Sequence, residues 1–242
     1  MVYDLAFRMT GNPDQARDLT QETFVRVYEN LHQFRGESNI KTWIYTIAKN
    51  LCLRSLKKRK SFTTIEELTR LPHAEPDPGE LTDKEISHLA GQVREGCLLA
   101  LLQCLTWQQR LAFVLHVFAG LSMAEVGEVM DKSVGAIKVL VHRARRNLKA
   151  FLCANCSVYE RGNPCKCVNL VGFSLKQGWI HKSGGDGRAI SPDAIEAEIR
   201  EIKDIAGFYR RYLGKKSAPE ALADHLRKHI QGDNYIIFEK QV

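Results

Sequence analysis

The stretch LPHAEPDPGELTDKE, residues 71–85, holds three prolines, a glycine and mostly acidic charge. Proline fixes φ and lacks an amide hydrogen, and so few apolar side chains supply no core, so no continuous helix or sheet passes through it. It divides a 242-residue chain that is already longer than one typical core fills. The expected layout is a first domain at 1–62, a linker at 63–88, a second domain at 89–151 and a C-terminal extension at 152–242. The expected fold class is mainly α: two small helical domains joined by a linker, plus a cysteine-rich, mostly helical extension.

Before the break, GNPDQARDLTQETFVRVYENLHQF opens with Asn12 as an N-cap, Pro13 at the first helical position and Gln15 placed to reach back to the cap amide. Ala16, Leu19, Phe24, Val27, Tyr28 and Leu31 then form an apolar stripe at helical spacing, opposite Asp14, Asp18, Gln21, Glu22 and Glu29. After RGES, the run IKTWIYTIAKNLCLRSLKKRK repeats the pattern with Trp43, Ile44, Ile47, Ala48 and Leu51, and ends in Lys57, Lys58, Arg59 and Lys60.

Past the break, helices are expected over about 86–105 and 108–119. In GLSMAEVGEVMDKSVGAIKVLVHRARRNLKAFL, Ser122 and Glu125 form a capping box, Asp131 to Ser133 a polar turn, and a second helix starts near Val134. That is a helix-turn-helix. Residues 131–150 carry six Lys or Arg against one acid, so the net charge of +7 is clustered, as polyanion binding requires. Ile137, Leu140, Val141 and Leu148 supply a buried side. Lys138, His142 and Arg145 or Arg146 share the other, with Val139 and Arg143 beside them. The second helix of such a motif lies in the major groove with its N-terminal side chains at base edges, and Gly135 and Ala136 permit close approach. Lysine and arginine donate to guanine O6 and N7, and the later arginines hold phosphates.

The segment LTWQQRLAFVLHVFAGLSMAEVGEVMDKSVGAIKVLVHRARRNL resembles region 4 of the group IV, or extracytoplasmic-function, sigma factors of bacterial RNA polymerase. Upstream, DQARDLTQETFVRVYENLHQFRGESNIKTWIYTIAKNLCLRSLKKRK resembles their region 2, with DLTQETF, FRGES and TWIYTIAKN in order. The resemblance implies that Asp18, Gln21 and Glu22 dock on the clamp helices of the largest subunit of core RNA polymerase. It implies that Phe34, Arg35, Lys41, Trp43 and Asn50 capture a flipped base of the minus-10 element of promoter DNA, for which an aromatic platform and a polar pocket make sense. Of these, Trp43 is the one an ordinary core also claims. The minus-35 readers map to Lys138, Val139, His142 and Arg143, with Arg145 and Arg146 as phosphate contacts. Val139 replaces the small polar residue frequent there, which removes a direct hydrogen bond to a base. An anti-sigma factor is a further implied partner, and Met1 falls inside what the resemblance makes the first region 2 helix.

Four cysteines fall within fifteen residues as C-x2-C-x8-C-x-C: Cys153, Cys156, Cys165 and Cys167. Such pairs suit a tetrahedral thiolate site, with zinc the first expectation and copper(I) the second. A structural zinc is the simpler expectation than a sensor, with a disulfide switch and unliganded cysteines as alternatives. Cys52, Cys97 and Cys104 sit on apolar helical faces as small hydrophobes. The extension resembles cysteine-rich tails that answer to metal or redox state in some sigma factors of this group. Further on, Ser191 and Pro192 start a helix with Ile195, Ile199, Ile202 and Tyr209, stopped by Gly214; SAPE at Ser217 caps another, and YIIFE reads as a strand.

No run of 18 apolar residues and no secretory pattern is present, so no membrane insertion and a cytoplasmic location are expected. The expected function is a promoter-specificity subunit with no catalysis of its own. The alternatives are a stand-alone helix-turn-helix regulator with a structural zinc site, or a thiol-based enzyme, for which no general base lies near the cysteines in sequence.

Overall fold

The computed structural model describes residues 1–57, 81–181 and 204–214, and every regular element among them is helical. Helices α1 (Val2–Thr10), α2 (Pro13–Asn30) and α3 (Ile40–Lys57) pack on one another as a first bundle. Asn12 Oδ1 accepts from the Gln15 amide at 2.9 Å, as expected of the cap. The reciprocal bond does not form: Thr10 Oγ1 already accepts from the Asn12 amide at 3.3 Å, and Gln15 Oε1 is buried with no partner. Along α2 the core takes Ala16, Leu19 and Val27, but Tyr28 is 53% exposed. Thr20 and Thr23 are buried in the stripe, each donating its hydroxyl to the carbonyl four residues back at 2.6 Å. Back-bonding hides the hydroxyl and leaves the methyl to pack, which a hydropathy pattern does not register. From α3 the core takes Ile44, Tyr45, Ala48, Leu51, Cys52 and Leu56, with Trp43 and Ile47 half-buried.

The second unit begins at α4 (Asp83–Gln103), three residues before the expected start at Ile86. Thr82 and Glu85 form a complete capping box there, with the Glu85 amide donating to Thr82 Oγ1 at 3.3 Å and the Thr82 amide to Glu85 Oε2 at 2.8 Å. The expected linker therefore stops at residue 82, and its residues 63–80 lie outside the described ones. After α4 come α5 (Trp107–Val117), α6 (Met123–Met130) and α7 (Val134–Asn155). The box at Ser122 and Glu125 is complete, with bonds of 3.2 and 2.7 Å. Between α6 and α7, Asp131 adopts the left-handed conformation at φ 52°. A Cβ on Gly127 would stand 2.7 Å from the Lys132 carbonyl oxygen, so the turn folds back this tightly only over glycine. α7 runs four residues past the expected boundary at 151, because Phe151 and Leu152 continue its buried side.

A cysteine-bearing loop follows, then a 3-10 turn (Cys167–Leu170) and α8 (Val171–Lys176), both packed on α4. Finally α9 (Ile205–Leu213), capped by Asp204 through the Gly207 amide at 2.8 Å, lies on α4 and α7 and ends at Gly214. The helix expected to run on from Ser191 is therefore interrupted at Asp204, whose extended backbone caps a new helix; Tyr209 and the stop at Gly214 are as expected. Ser191 to Ile202, the SAPE and YIIFE segments and Lys58 to Lys60 lie outside the described residues.

Both expected helical domains are present, and they share one core. Leu5, Met9, Ile44 and Ala48 of the first bundle belong to the same buried cluster as Leu111, Leu115, Val126, Val129 and Ile137 of the second. α1 packs on α4 and α5, and α3 on α6. The last carbonyls of α1 have no partner within their own helix, and the second unit supplies donors. Arg110, fully buried on α5, donates through Nη1 to the Met9 carbonyl at 2.6 Å and to Gln103 Oε1, and through Nη2 to the Gln103 carbonyl at 2.6 Å. Gln103 Nε2 donates to the Arg8 carbonyl at 2.8 Å. Arg8, also fully buried, pairs with Asp4 at 2.9 Å, lies 3.6 Å over the Phe118 ring and donates to the Gly214 carbonyl.

Replacing Arg110 by leucine strands the buried carbonyls of Met9 and Gln103. Arg110→Leu is expected to cost roughly 2–4 kcal/mol of stability, read from the urea midpoint. A change below about 0.5 kcal/mol, the range of ordinary surface substitutions, contradicts the role given to this residue.

Candidate nucleic-acid interface

α7 has two faces. Ile137, Val141, Ala144 and Leu148 are buried, whereas Lys138, Val139, His142, Arg143 and Arg146 are exposed. Among the described residues no ion pair engages Lys138, Arg143 or Arg146. Val139, 47% exposed, presents two methyl groups on the same face. Arg145 departs from expectation. It is half-buried, its Nε is enclosed with no partner, and its charge helps hold the Asp204 carboxyl below its usual range, behind the larger effect of the Gly207 amide. The helical step turns it towards α9, away from the other five.

In the first bundle, Gly36 takes the left-handed conformation (φ 73°) in the loop before α3, and Asn39 Oδ1 accepts from the Lys41 amide at 2.9 Å to start that helix. Phe34 and Trp43 are both half-buried and meet with ring centroids 5.4 Å apart at 48°. Trp43 also packs on the core, so it supports Phe34. Arg35, Lys41 and Asn50 are exposed. This flank of α3 faces the helix-turn-helix. Hydrogen bonds from Ser122 chiefly hold the Glu125 carboxyl low, and Lys41 adds to the effect; burial lowers Lys49, and Asp131 opposes it.

Asp18 and Glu22 are exposed on α2, with Gln21 half-buried beside them, and Glu22 pairs with Arg26 at 2.9 Å. Asp18, Leu19 and Glu22 face Leu51, Arg54 and Ser55 across an open groove of about 360 Å³ between α2 and α3. Sequence reasoning missed Arg54 in this groove, and it missed the buried Arg8 and Arg110. The one available signal for Arg110 was a charge at the head of an apolar run, RLAFVL.

The four clustered thiols are not brought together as a quartet. Because α7 extends to Asn155, Cys153 sits on its last turn and is exposed, while Cys156 is the C-cap residue and half-buried. Cys156 and Cys165 form a parallel bridge, with the Cys165 amide donating to the Asn155 carbonyl and the Ser157 amide to the Cys165 carbonyl, each at 3.1 Å. Asn163 Nδ2 closes the loop on the carbonyls of Leu152, Cys153 and Cys156 at 3.2, 2.8 and 3.2 Å. Burial raises the Cys165 thiol to about 11 and the Cys167 thiol to about 12, and neighbouring Cys156 adds to both. Cys52 is a buried hydrophobe, as expected, but Cys97 and Cys104 are only half-buried. In this arrangement, no three His, Cys, Asp or Glu side chains among the described residues stand close enough to share an ion.

The model of sigma-70 region 2 matches residues 1–62, and that of sigma-70 region 4 matches residues 95–148. Neither reaches the cysteine-rich segment. The ECF RNA polymerase sigma factor SigW of Bacillus subtilis is 31% identical over 159 residues, covering 62% of this chain and 82% of that protein. SigE of Mycolicibacterium smegmatis is also 31% identical over 159 residues, with 64% of this chain matched to 59% of its own length. A solved complex of the sigma factor RpoE with the anti-sigma factor NepR from Bartonella quintana covers 62% of the chain at 23% identity and a TM-score of 0.45. With both region models matched in order, and most of SigW covered at 31% identity, the chain belongs to the extracytoplasmic-function RNA polymerase sigma factors.

Proposed function

We propose that this chain binds core RNA polymerase through the Asp18, Gln21 and Glu22 side of α2 and directs it to promoters for initiation. α7 reads the minus-35 element through Lys138, Val139, His142 and Arg143, with Arg146 on phosphates. Phe34, Arg35, Lys41 and Asn50 receive an extruded minus-10 base, backed by Trp43. The observation that carries this reading is the pairing, in one chain, of an exposed cationic face on the second helix of a helix-turn-helix with the exposed carboxylates of Asp18 and Glu22 beside a groove in the preceding domain. The chain contributes specificity, and bond-forming chemistry stays with the polymerase.

The two readers cannot act from the packed arrangement. Elements roughly 25 base pairs apart are separated by about 85 Å of duplex at 3.4 Å per pair, whereas α3 and α6 are in contact. Engagement of polymerase and promoter therefore parts the shared core, at a cost in buried apolar surface that the new contacts have to offset.

Run-off transcription with bacterial core polymerase tests the reading: defined start sites are expected only when both proteins are present. Specific footprints on duplex DNA without polymerase support a stand-alone regulator instead. Joint Asp18→Lys and Glu22→Lys substitution is expected to weaken core binding roughly tenfold or more, measured by a fluorescence titration, while leaving the fold intact by circular dichroism. Lys138→Ala and Arg143→Ala are each expected to cost about 1–3 kcal/mol at particular minus-35 positions. Arg146→Ala, by contrast, is expected to weaken all sequences alike and to flatten the salt slope by about one. Equal losses on every sequence for Lys138 and Arg143 rule out base reading by those residues.

A further inference from the structure

We propose that Cys97, Cys156, Cys165 and Cys167 form a four-thiolate zinc site that joins α4 to the loop after α7, and that Cys153 lies outside it. The inference concerns the thiols alone and does not rest on the polymerase reading.

Three observations place Cys97 in the group. The 3-10 turn that Cys167 begins packs along α4, the helix that carries Cys97. Cys97 and Cys156 pack against one buried cluster, that of Leu98, Leu101 and Leu152, and Cys165 and Cys167 pack against the neighbouring cluster, that of Leu89, Ala90 and Val93. The four residues therefore flank two neighbouring patches of α4 where the loop packs on it. Finally, beyond the effect of burial, the charges that bear most on the Cys97 thiol are those of Cys167, Cys156 and Cys165, with Cys104 last. Cys153 is absent from that set and from those around Cys165 and Cys167. Cys104 is excluded by distance along the helix: seven residues of α-helix put it about 10 Å further on, where its thiol donates to the Ala100 carbonyl at 3.4 Å.

Burial raises all four thiols, so the ion itself has to displace their protons. Against that larger effect, backbone hydrogen bonds from Tyr159 and Val158 and the Arg94 guanidinium lower the Cys156 thiol, and Arg94 lowers the Cys167 thiol. Four thiolates on one zinc carry a net charge of minus two, and Arg94, three residues before Cys97, partly balances it. The loop is already closed by the Asn163 side chain and the Cys156–Cys165 bridge. The sulfurs as they stand are not in ligating geometry, so zinc binding requires the cysteine side chains and the loop that carries three of them to rearrange around the ion. Zinc binding replaces four S–H protons by four Zn–S bonds and releases the protons to solvent, so affinity rises with pH. The outcome is a staple between region 4 and the extension rather than a self-contained finger.

The test uses the full chain, purified under thiol reductant. Zinc is measured by plasma mass spectrometry, and the individual thiols by alkylation and peptide mapping before and after a chelator. About one zinc per chain is expected, as for a closed structural site. Chelation should expose Cys97 to alkylation together with Cys156, Cys165 and Cys167, while Cys153 reacts equally in both states. Zinc content should survive Cys153→Ser and Cys104→Ser and be lost in Cys97→Ser. Because the mapping is done on the unaltered protein, a misfolded variant does not obscure the answer. Absence of zinc, chelator-dependent protection of Cys153, or chelator-independent reactivity of Cys97 overturns the assignment.

Discussion

A guanidinium taken wholly out of water is costly unless its protons find acceptors, and the acceptors of Arg110 sit on two different domains. Its bonds to the carbonyls of Met9 and Gln103 tie the end of α1 to the end of α4, and Gln103 adds a bond to the Arg8 carbonyl. Arg8 then extends the link to Phe118 and Gly214. Much else follows from this pin. With α1 held against α4 and α5, the apolar sides of α3 and α6 close on each other, and one core serves both bundles.

That arrangement leaves the surfaces proposed to dock on polymerase and to read DNA facing outward. Lys138, His142, Arg143 and Arg146 are exposed on α7, and Asp18 and Glu22 on α2, because none of them contributes to the shared core. What the packing withholds is separation. Polar bonds to backbone carbonyls are well suited to such a joint, since water replaces them on opening at a small net cost, typically about 1 kcal/mol each.

Much of this was legible in the sequence, for identifiable reasons. The Asn12 cap, the Ser122–Glu125 box, the Asp131 turn and the two faces of α7 are local, and local rules placed them within a residue or two. The failures are of other kinds. Thr20 and Thr23 entered the core because they satisfy their hydroxyls within α2. The Thr82–Glu85 box was hidden in a stretch read as linker because of its prolines. Arg8 and Arg110 were missed because part of what holds each inside comes from distant residues, the Gly214 carbonyl and the Phe118 ring for Arg8 and the Met9 carbonyl for Arg110. Cys97 packs on the Leu98 cluster as a small hydrophobe does, and nothing adjacent in the chain marks the second role proposed for it. The C-x2-C spacing likewise carries no sign that α7 continues through Cys153 and leaves it exposed on the last turn.

The claim on which the functional account depends is that two domains pinned together by Arg110 come apart on core polymerase. The direct measurement is a pulsed dipolar distance between labels attached through non-natural residues at Glu29 and Lys149, both exposed. A single short distance is expected in the free protein, lengthening by tens of ångströms in the complex with core polymerase. A long or broad distribution in the free protein, or an unchanged short distance in the complex, contradicts it.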